Sequence, residues 1–200
     1  MRTPKLILTC IFLWDCGKTP IDYEKHLKMI NGVYISKDTN QPYDGPVFSI
    51  YETGEIKNDG FFKDGRPDGI TRSWYKNKKI KSELRFKNGK NDGLQTFWYD
   101  NGSKREEGTY NDGLRDGLWI NWYSSGQKQK QGLFKANKQH GLWIAWYANG
   151  QREEEGMFKN GIMDGNMVGW YSNGNIKYKS QYSNGKLEGK RLTWNDNANE

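Results

Sequence analysis

The chain is short of the residues that build a thick core. Leu, Ile, Val and Phe together number 36 of 200. So lean an aliphatic content is the range of chains that do not fold alone, and the mean hydropathy of −1.03 agrees with it. Cysteine occurs only at Cys10 and Cys16, which leaves the body of the chain without a thiol or a possible disulfide. Histidine occurs only at His26 and His140, so no His or Cys set has metal-ligand spacing. The longest apolar run, Leu6–Trp14, has nine residues, against the roughly 20 that a membrane-spanning helix needs. No block of five like charges occurs, and the net charge of +7 is spread along the chain as a solvated surface would carry it. The loop from Asp100 lacks a calcium ladder, and no glycine-rich stretch opens a helix as a phosphate cradle does. The run Glu153–Glu155 reads as solvated charge, because alternate residues of a strand face opposite ways. These absences point to a protein that is not an enzyme and holds no cofactor.

Aromatics argue against disorder. Nine Trp, twelve Tyr and eight Phe can supply the burial that aliphatics do not, and 24 Gly accompany them. Their order is periodic. Asp44-Gly45 returns as Asp68-Gly69, Asp92-Gly93, Asp116-Gly117, Asp164-Gly165 and Glu188-Gly189, always 24 residues apart or a multiple of it, with His140-Gly141 in the remaining slot. Six residues on stands Ile50 and then Trp74, Trp98, Trp122, Trp146, Trp170 and Trp194; next to it come Tyr51, Tyr75, Tyr99, Tyr123, Tyr147 and Tyr171. A late aromatic closes each unit at Phe62, Phe86, Tyr110, Phe134, Phe158 and Tyr182.

Each unit reads as two strands and two tight turns. Asn101-Gly102, Asn149-Gly150 and Asn173-Gly174 mark the first turn, with Thr53-Gly54 and Ser125-Gly126 as variants. Asp64-Gly65, Asn88-Gly89, Asp112-Gly113, Asn160-Gly161 and Asn184-Gly185 mark the second. Such pairs favour type I′ turns, in which both central residues take φ > 0. Lys78 and Ala136-Asn137 break the pattern and predict looser turns. An even period returns every side chain to its own sheet face. Leu142, Ile144 and Trp146 then share one face, and Trp143, Ala145 and Tyr147 the other. A two-residue first turn sets Phe158 opposite Gly141 and Trp143 opposite Gly156, and every other late aromatic opposite a glycine too. A large ring covering that glycine is the expected stabilising device.

The fold class is therefore all-β: an elongated antiparallel meander of tandem 24-residue hairpin repeats, a twisted single layer of about 13 strands extending on the order of 60 Å. Residues 17–43 read as a linker and a partial capping repeat around Asn31-Gly32, Val33–Ile35 and Tyr43. Residues 44–200 hold six full repeats and a truncated seventh, whose edge Lys190, Arg191 and the polar tail from Asn195 would blunt.

The pattern Asp-Gly-x-x-x-x-Trp-Tyr-x-Asn-Gly, then an aromatic, then Asn-Gly-Lys, resembles the MORN-type repeat over about 44–195. It is closest to the variant form in the bacterial YwqK family of antitoxins. The resemblance implies an elongated hairpin array that serves as a binding platform, and in that family a partner toxin. Residues 1–16 resemble a bacterial lipoprotein signal: Arg2 and Lys5 before the apolar run, then Cys16 as the lipidated residue with Leu13 three before it. Trp14 and Asp15 depart from the small residues usual there, so another secretory signal or a plain N-terminus stays open.

Two functions remain. One is protein binding through an aromatic-rich sheet surface, with Tyr75, Tyr99, Tyr123, Tyr147 and Tyr171 as candidate binding residues for an unidentified protein partner. The other is an envelope lipoprotein that binds membrane lipid or cell-wall glycan. Localisation is expected at the cell envelope, membrane-anchored through Cys16, and cytoplasmic if that signal does not function. Nucleic acid is disfavoured as a partner, since an exported chain would rarely meet it.

Overall fold

The computed structural model describes residues 17–196. It begins with β1 (Ile21–Asp22), the single-turn helix α1 (Tyr23–His26), β2 (Leu27–Ile30) and β3 (Val33–Ser36). The array follows as β4 (Gly45–Ile50), β5 (Ile56–Lys63), β6 (Arg66–Pro67), β7 (Gly69–Trp74), β8 (Ile80–Lys87), β9 (Lys90–Trp98) and β10 (Lys104–Asn111). It continues as β11 (Leu114–Trp122), β12 (Lys128–Lys135), β13 (Lys138–Trp146), β14 (Arg152–Lys159), β15 (Ile162–Trp170), β16 (Ile176–Ser183) and β17 (Lys186–Thr193). From β4 to β17 the strands pair in sequence order, with β7 rather than the short β6 continuing from β5, in an open antiparallel sheet, the all-β meander that the period implies. The sheet has 15 strands because β1 adds in parallel to β4 and the short β6 pairs with β5. Pro67, which has no N–H, ends β6, and Asp68 separates it from β7.

The strand register agrees with the sequence in every unit. Phe158 faces Gly141 and Trp143 faces Gly156; the other late aromatics face Gly45, Gly69, Gly93, Gly117 and Gly165. The turns are a different matter. The second turn is type I′ as expected, with Asn160 at φ 55° and Gly161 at φ 87°. Ala136 and Asn137 hold the same conformation at φ 47° and 67°, so that turn is not looser for want of glycine. The first turn is not type I′. At Asn149-Gly150 only the glycine has positive φ, and Gly150 N–H donates to Tyr147 while Tyr147 N–H donates to Gln151. That is a three-residue loop with the glycine as a bulge, in which Lys78 at φ 66° takes the glycine's place in the second unit. An extra residue on the returning strand, such as Glu153, restores the register between Ala145 and Glu154.

The acidic-Gly pair marks a second bulge. On β15 four steps separate Met163 from Met167, against two on β14 between their partners Phe158 and Gly156. The glycine there takes positive φ, as at Gly117 (93°) and Gly165 (123°), where an L-residue would be strained. His140 thus occupies a bulge within a strand and not a turn. Aspartates in the same slot accept the N–H that opens the following type I′ turn: Asp68 from Asn88 at 3.0 Å, Asp164 from Asn184 at 3.2 Å. His140 makes no such bond, and its Nδ1 is buried without a partner.

Rings do cover glycines, though in another column than expected. A Cβ on Gly69 would meet nothing within 4 Å, and one on Gly141 only Leu133, so the late aromatics do not shield the glycines opposite them. Those glycines are there for their positive φ. The shielded glycines are Gly108 beneath Trp119 and Gly132 beneath Trp143, with Gly156 beneath Met167; a Cβ at any of them would overlap the side chain above. Trp119 is 2% exposed and Trp143 6%. Both indoles donate to the carbonyl opposite the bulge, Trp119 to Thr109 at 3.2 Å and Trp143 to Leu133 at 3.0 Å. Gln95, 1% exposed in the same column, donates to Arg85 at 2.8 Å. Edge-to-face contacts of Trp119 and Trp143 with Tyr110 and Phe134, at centroid distances of 4.9–6.0 Å, join these units.

At the N-terminal end the layer gains depth. β2 and β3 close around Asn31-Gly32 in a sheet of their own. Leu27, Val47 and Phe62 form a small core there, packed by Ile21, Tyr23, Tyr34 and Tyr43. The opposite edge strand, β17, is exposed along all eight residues.

Gly132→Ala should destabilise the sheet by about 1–3 kcal/mol, the usual cost of overpacking, as read from urea unfolding. The cost should shrink when Trp143 is first shortened to Val. Equal costs in both backgrounds would show that the ring does not set the glycine.

Candidate binding surface

The tyrosine column sits at the start of each first turn and performs a structural task. Every tyrosine hydroxyl donates to the main-chain carbonyl of the next unit's tryptophan: Tyr51 to Trp74, Tyr75 to Trp98, Tyr99 to Trp122, Tyr123 to Trp146, Tyr147 to Trp170 and Tyr171 to Trp194, all at 2.7–2.8 Å. The turn asparagines add a parallel ladder. Asn101 Nδ2 donates to Ser124 O at 2.8 Å and Asn149 Nδ2 to Ser172 O at 2.7 Å, while their Oδ1 atoms accept from Ser103 and Gln151 N–H. All six rings are half-buried.

Two of the five candidate tyrosines, Tyr123 and Tyr147, are brought together in a groove on the face of Trp143. Its volume is about 490 Å³, and Tyr75, Tyr99 and Tyr171 do not line it. The groove exists because one column shrinks. Phe97 and Asn121 are followed at the same position by Ala145 and Gly169, and Ala145 lies between Lys130 on β12 and Glu154 on β14. Tyr178 roofs Gly169 and donates its hydroxyl to Glu154, and the Arg191 guanidinium lies 3.5 Å from its ring centroid. Burial, and then the Glu154 carboxylate, push the Tyr178 phenol well above its usual range. Burial also raises Tyr147, with help from Glu153, Asp196 and Glu154.

No sequence signal marked Lys130, Lys177, Glu153 and Glu154 as groove residues. Glu153 is the extra residue of the bulge, so it shares the groove with Glu154, while Glu155 points away and pairs with Arg152 at 2.6 Å. Strict alternation along Glu153–Glu155 therefore fails at its first step. Lys130 and Lys177 have no acidic partner within ion-pair distance among the described residues. They lie 5.2 Å from the Trp143 and 5.5 Å from the Tyr171 ring centroids. The lining offers flat rings, two cations and one uncommitted carboxylate, a set suited to a mixed polar and aromatic surface. Cys16 lies outside the described residues.

Residues 67–88, 91–112, 115–136, 139–160 and 163–184 each match the family model described as MORN repeat variant, and together they cover more than half of the chain. The chain belongs to the MORN repeat variant family. No curated protein matches it. Each matched MORN-variant segment starts before an acidic-Gly or His-Gly bulge, runs through one hairpin and ends on the first central residue of the next type I′ turn. The groove draws on the last three of these segments.

Tyr178 makes its environment measurable. Its folded-state pKa lies above the unfolded value of about 10, so the native state keeps a proton that the unfolded chain has released. Its contribution to stability is complete below that pH and is lost as pH rises further. Between pH 8 and 11 the urea midpoint of the wild type should fall more than that of Tyr178→Phe. Parallel curves would contradict the assignment.

Proposed function

We propose that the protein is a non-enzymatic scaffold that receives a protein partner on the ring-bearing face, in the groove above Ala145. The observation that carries this reading is the groove itself, lined by Tyr123 and Tyr147, both locked by hydrogen bonds, around the space that the small Ala145 leaves open. Rings already fixed in the free protein lose little further entropy when a partner covers them. Lys130, Lys177 and Glu153 supply polar contacts around those rings. Ala145→Trp fills the groove and leaves the tyrosine hydroxyl bonds in place. In cross-linked capture from the cells that express the protein, a partner held by the wild type and by Tyr99→Phe should be lost with Ala145→Trp. An identical capture profile would overturn the reading.

The resemblance to YwqK-family antitoxins makes a toxin one candidate for that partner, and such a pair would have to meet in one compartment. Residues 1–16 support a different setting, an envelope lipoprotein anchored through Cys16 that could also meet lipid or glycan. Metabolic labelling with a fatty-acid analogue decides between the settings. Label that disappears in Cys16→Ser supports the envelope; unlabelled, unprocessed protein in the cytosol returns the antitoxin role to the front.

A further inference from the structure

The opposite face carries an apolar row that the fold does not use. Leu94, Leu118, Leu133, Leu142 and Met157 lie on consecutive or alternate strands from β9 to β14 and are 40–54% exposed. Leu118 pairs across the strands with Leu133, and Leu142 with Met157. The packing does not demand these residues: the positions equivalent to Leu133 and Met157 hold Arg85 and Thr109 in earlier units. Thr109 on β10 interrupts the row after Leu94, and from Leu118 to Met157 it is unbroken; an exposed apolar strip of this kind marks an interaction site more often than chance.

The charges beside the row are sorted. Along the type I′ edge, on the same face, stand the exposed lysines Lys87, Lys135, Lys138 and Lys159. None has an acidic partner within ion-pair distance among the described residues; only their neighbour Lys90 does, with Asp112 at 2.8 Å. Lys87 is set directly across from Lys90, and Lys135 across from Lys138. Like charges directly opposite one another destabilise a strand pair; Asp112 relieves the first pair through Lys90, whereas Lys135 and Lys138 face each other with no carboxylate within ion-pair distance among the described residues. On the row's other side most charges are paired in place, as Arg72–Glu83 at 2.7 Å, Lys104–Glu107 at 2.6 Å and Arg152–Glu155 at 2.6 Å, while Lys128 bonds to the neutral Gln131 at 2.9 Å.

We infer that this face docks an acidic amphipathic segment of a partner protein, its apolar side on the leucine row and its carboxylates along the lysine edge. An anionic bilayer would favour free lysines on both sides of the apolar strip, and here four stand on one side against Lys128 alone on the other. Five strand spacings from Leu94 to Met157 span about 24 Å, the length of a helix of roughly 16 residues. The surface lies across the sheet from the groove and stands or falls separately from it.

The probe is a synthetic 18-residue helical peptide with leucines on one face and glutamates along one flank. Its controls are a scrambled peptide of the same composition and phosphatidylcholine–phosphatidylglycerol vesicles. In fluorescence anisotropy the ordered peptide should bind the full chain at least tenfold more tightly than the scrambled one, and binding should weaken with salt. Leu118→Ser with Leu142→Ser should cut the affinity at least tenfold. So should Lys135→Gln with Lys138→Gln, a pair that relieves repulsion and so cannot act by unfolding the sheet. Ala145→Trp should leave peptide binding unchanged, which separates this surface from the groove. Equal binding of both peptides, no binding, or vesicle binding that replaces peptide binding and depends on the same residues would overturn the inference.

Discussion

A sheet one layer thick has no second layer to bury against, so each side chain can be covered only by its lateral neighbours. That constraint decides the columns. A buried slot in such a sheet is a gap between two strands, and it can take a large side chain only if the strand beside it offers a glycine. Trp119 over Gly108 and Trp143 over Gly132 are the result. The bulge beside each slot adds a second demand, since a carbonyl opposite it accepts from a side chain. Tryptophan and glutamine have little in common in shape or hydropathy, yet Trp119, Trp143 and Gln95 each place an N–H on that carbonyl at 2.8–3.2 Å. In these three units donor chemistry acts together with bulk, and a buried Gln fits beside two Trp; Met167, in the same column, fills its slot by bulk alone.

Cohesion along the array comes from backbone acceptors more than from apolar area. Tyrosine hydroxyls reach the next hairpin at one end of the strands, and asparagine amides run beside them. At the other end each type I′ turn donates to the turn before it, as Gly89 does to Pro67 and Gly161 to Gln139, both at 2.8 Å. Every hairpin is therefore held at both ends by its neighbour. This is nearest-neighbour cohesion of the kind that lets repeat arrays do without a central core. Among the described residues only the N-terminal end, with Leu27, Val47 and Phe62 beneath a separate hairpin, has the beginnings of a conventional interior.

The period of the sequence made the topology legible, and the register with it, because an even repeat closed by turns of known length allows few pairings. Phe158 opposite Gly141 follows from that arithmetic alone. Turn type did not follow. Asn-Gly is written at both turns, but at Asn149-Gly150 the asparagine serves for its side chain, which caps Gln151 and reaches Ser172, and only the glycine needs the left-handed region. Bulges were equally hidden, since an extra residue on one strand leaves no compositional mark. Glu153 changed faces for that reason, and the acidic-Gly pairs passed as phase markers when they are bends within strands. The tyrosines were visible as a column, but their hydroxyl bonds depend on how far one hairpin leans over the next, which the sequence does not state.

The same rigidity explains how such an array can carry specific surfaces without a loop or a cleft between domains. Backbone hydrogen bonds and the tyrosine ladder hold each unit, with side-chain N–H donors added at Gln95, Trp119 and Trp143, so residues elsewhere on the two faces can vary without loss of the fold. Shrinking Phe97's column to Ala145 opens a groove and leaves the tyrosine ladder intact on either side of it. Replacing Arg85 and Thr109 with Leu133 and Met157 turns part of the other face apolar at no cost in register. Both proposed binding surfaces are local departures from the repeat consensus. Residues that break a column are thus better guides to function than the residues that define it, and the five tyrosines that define theirs are chiefly fasteners.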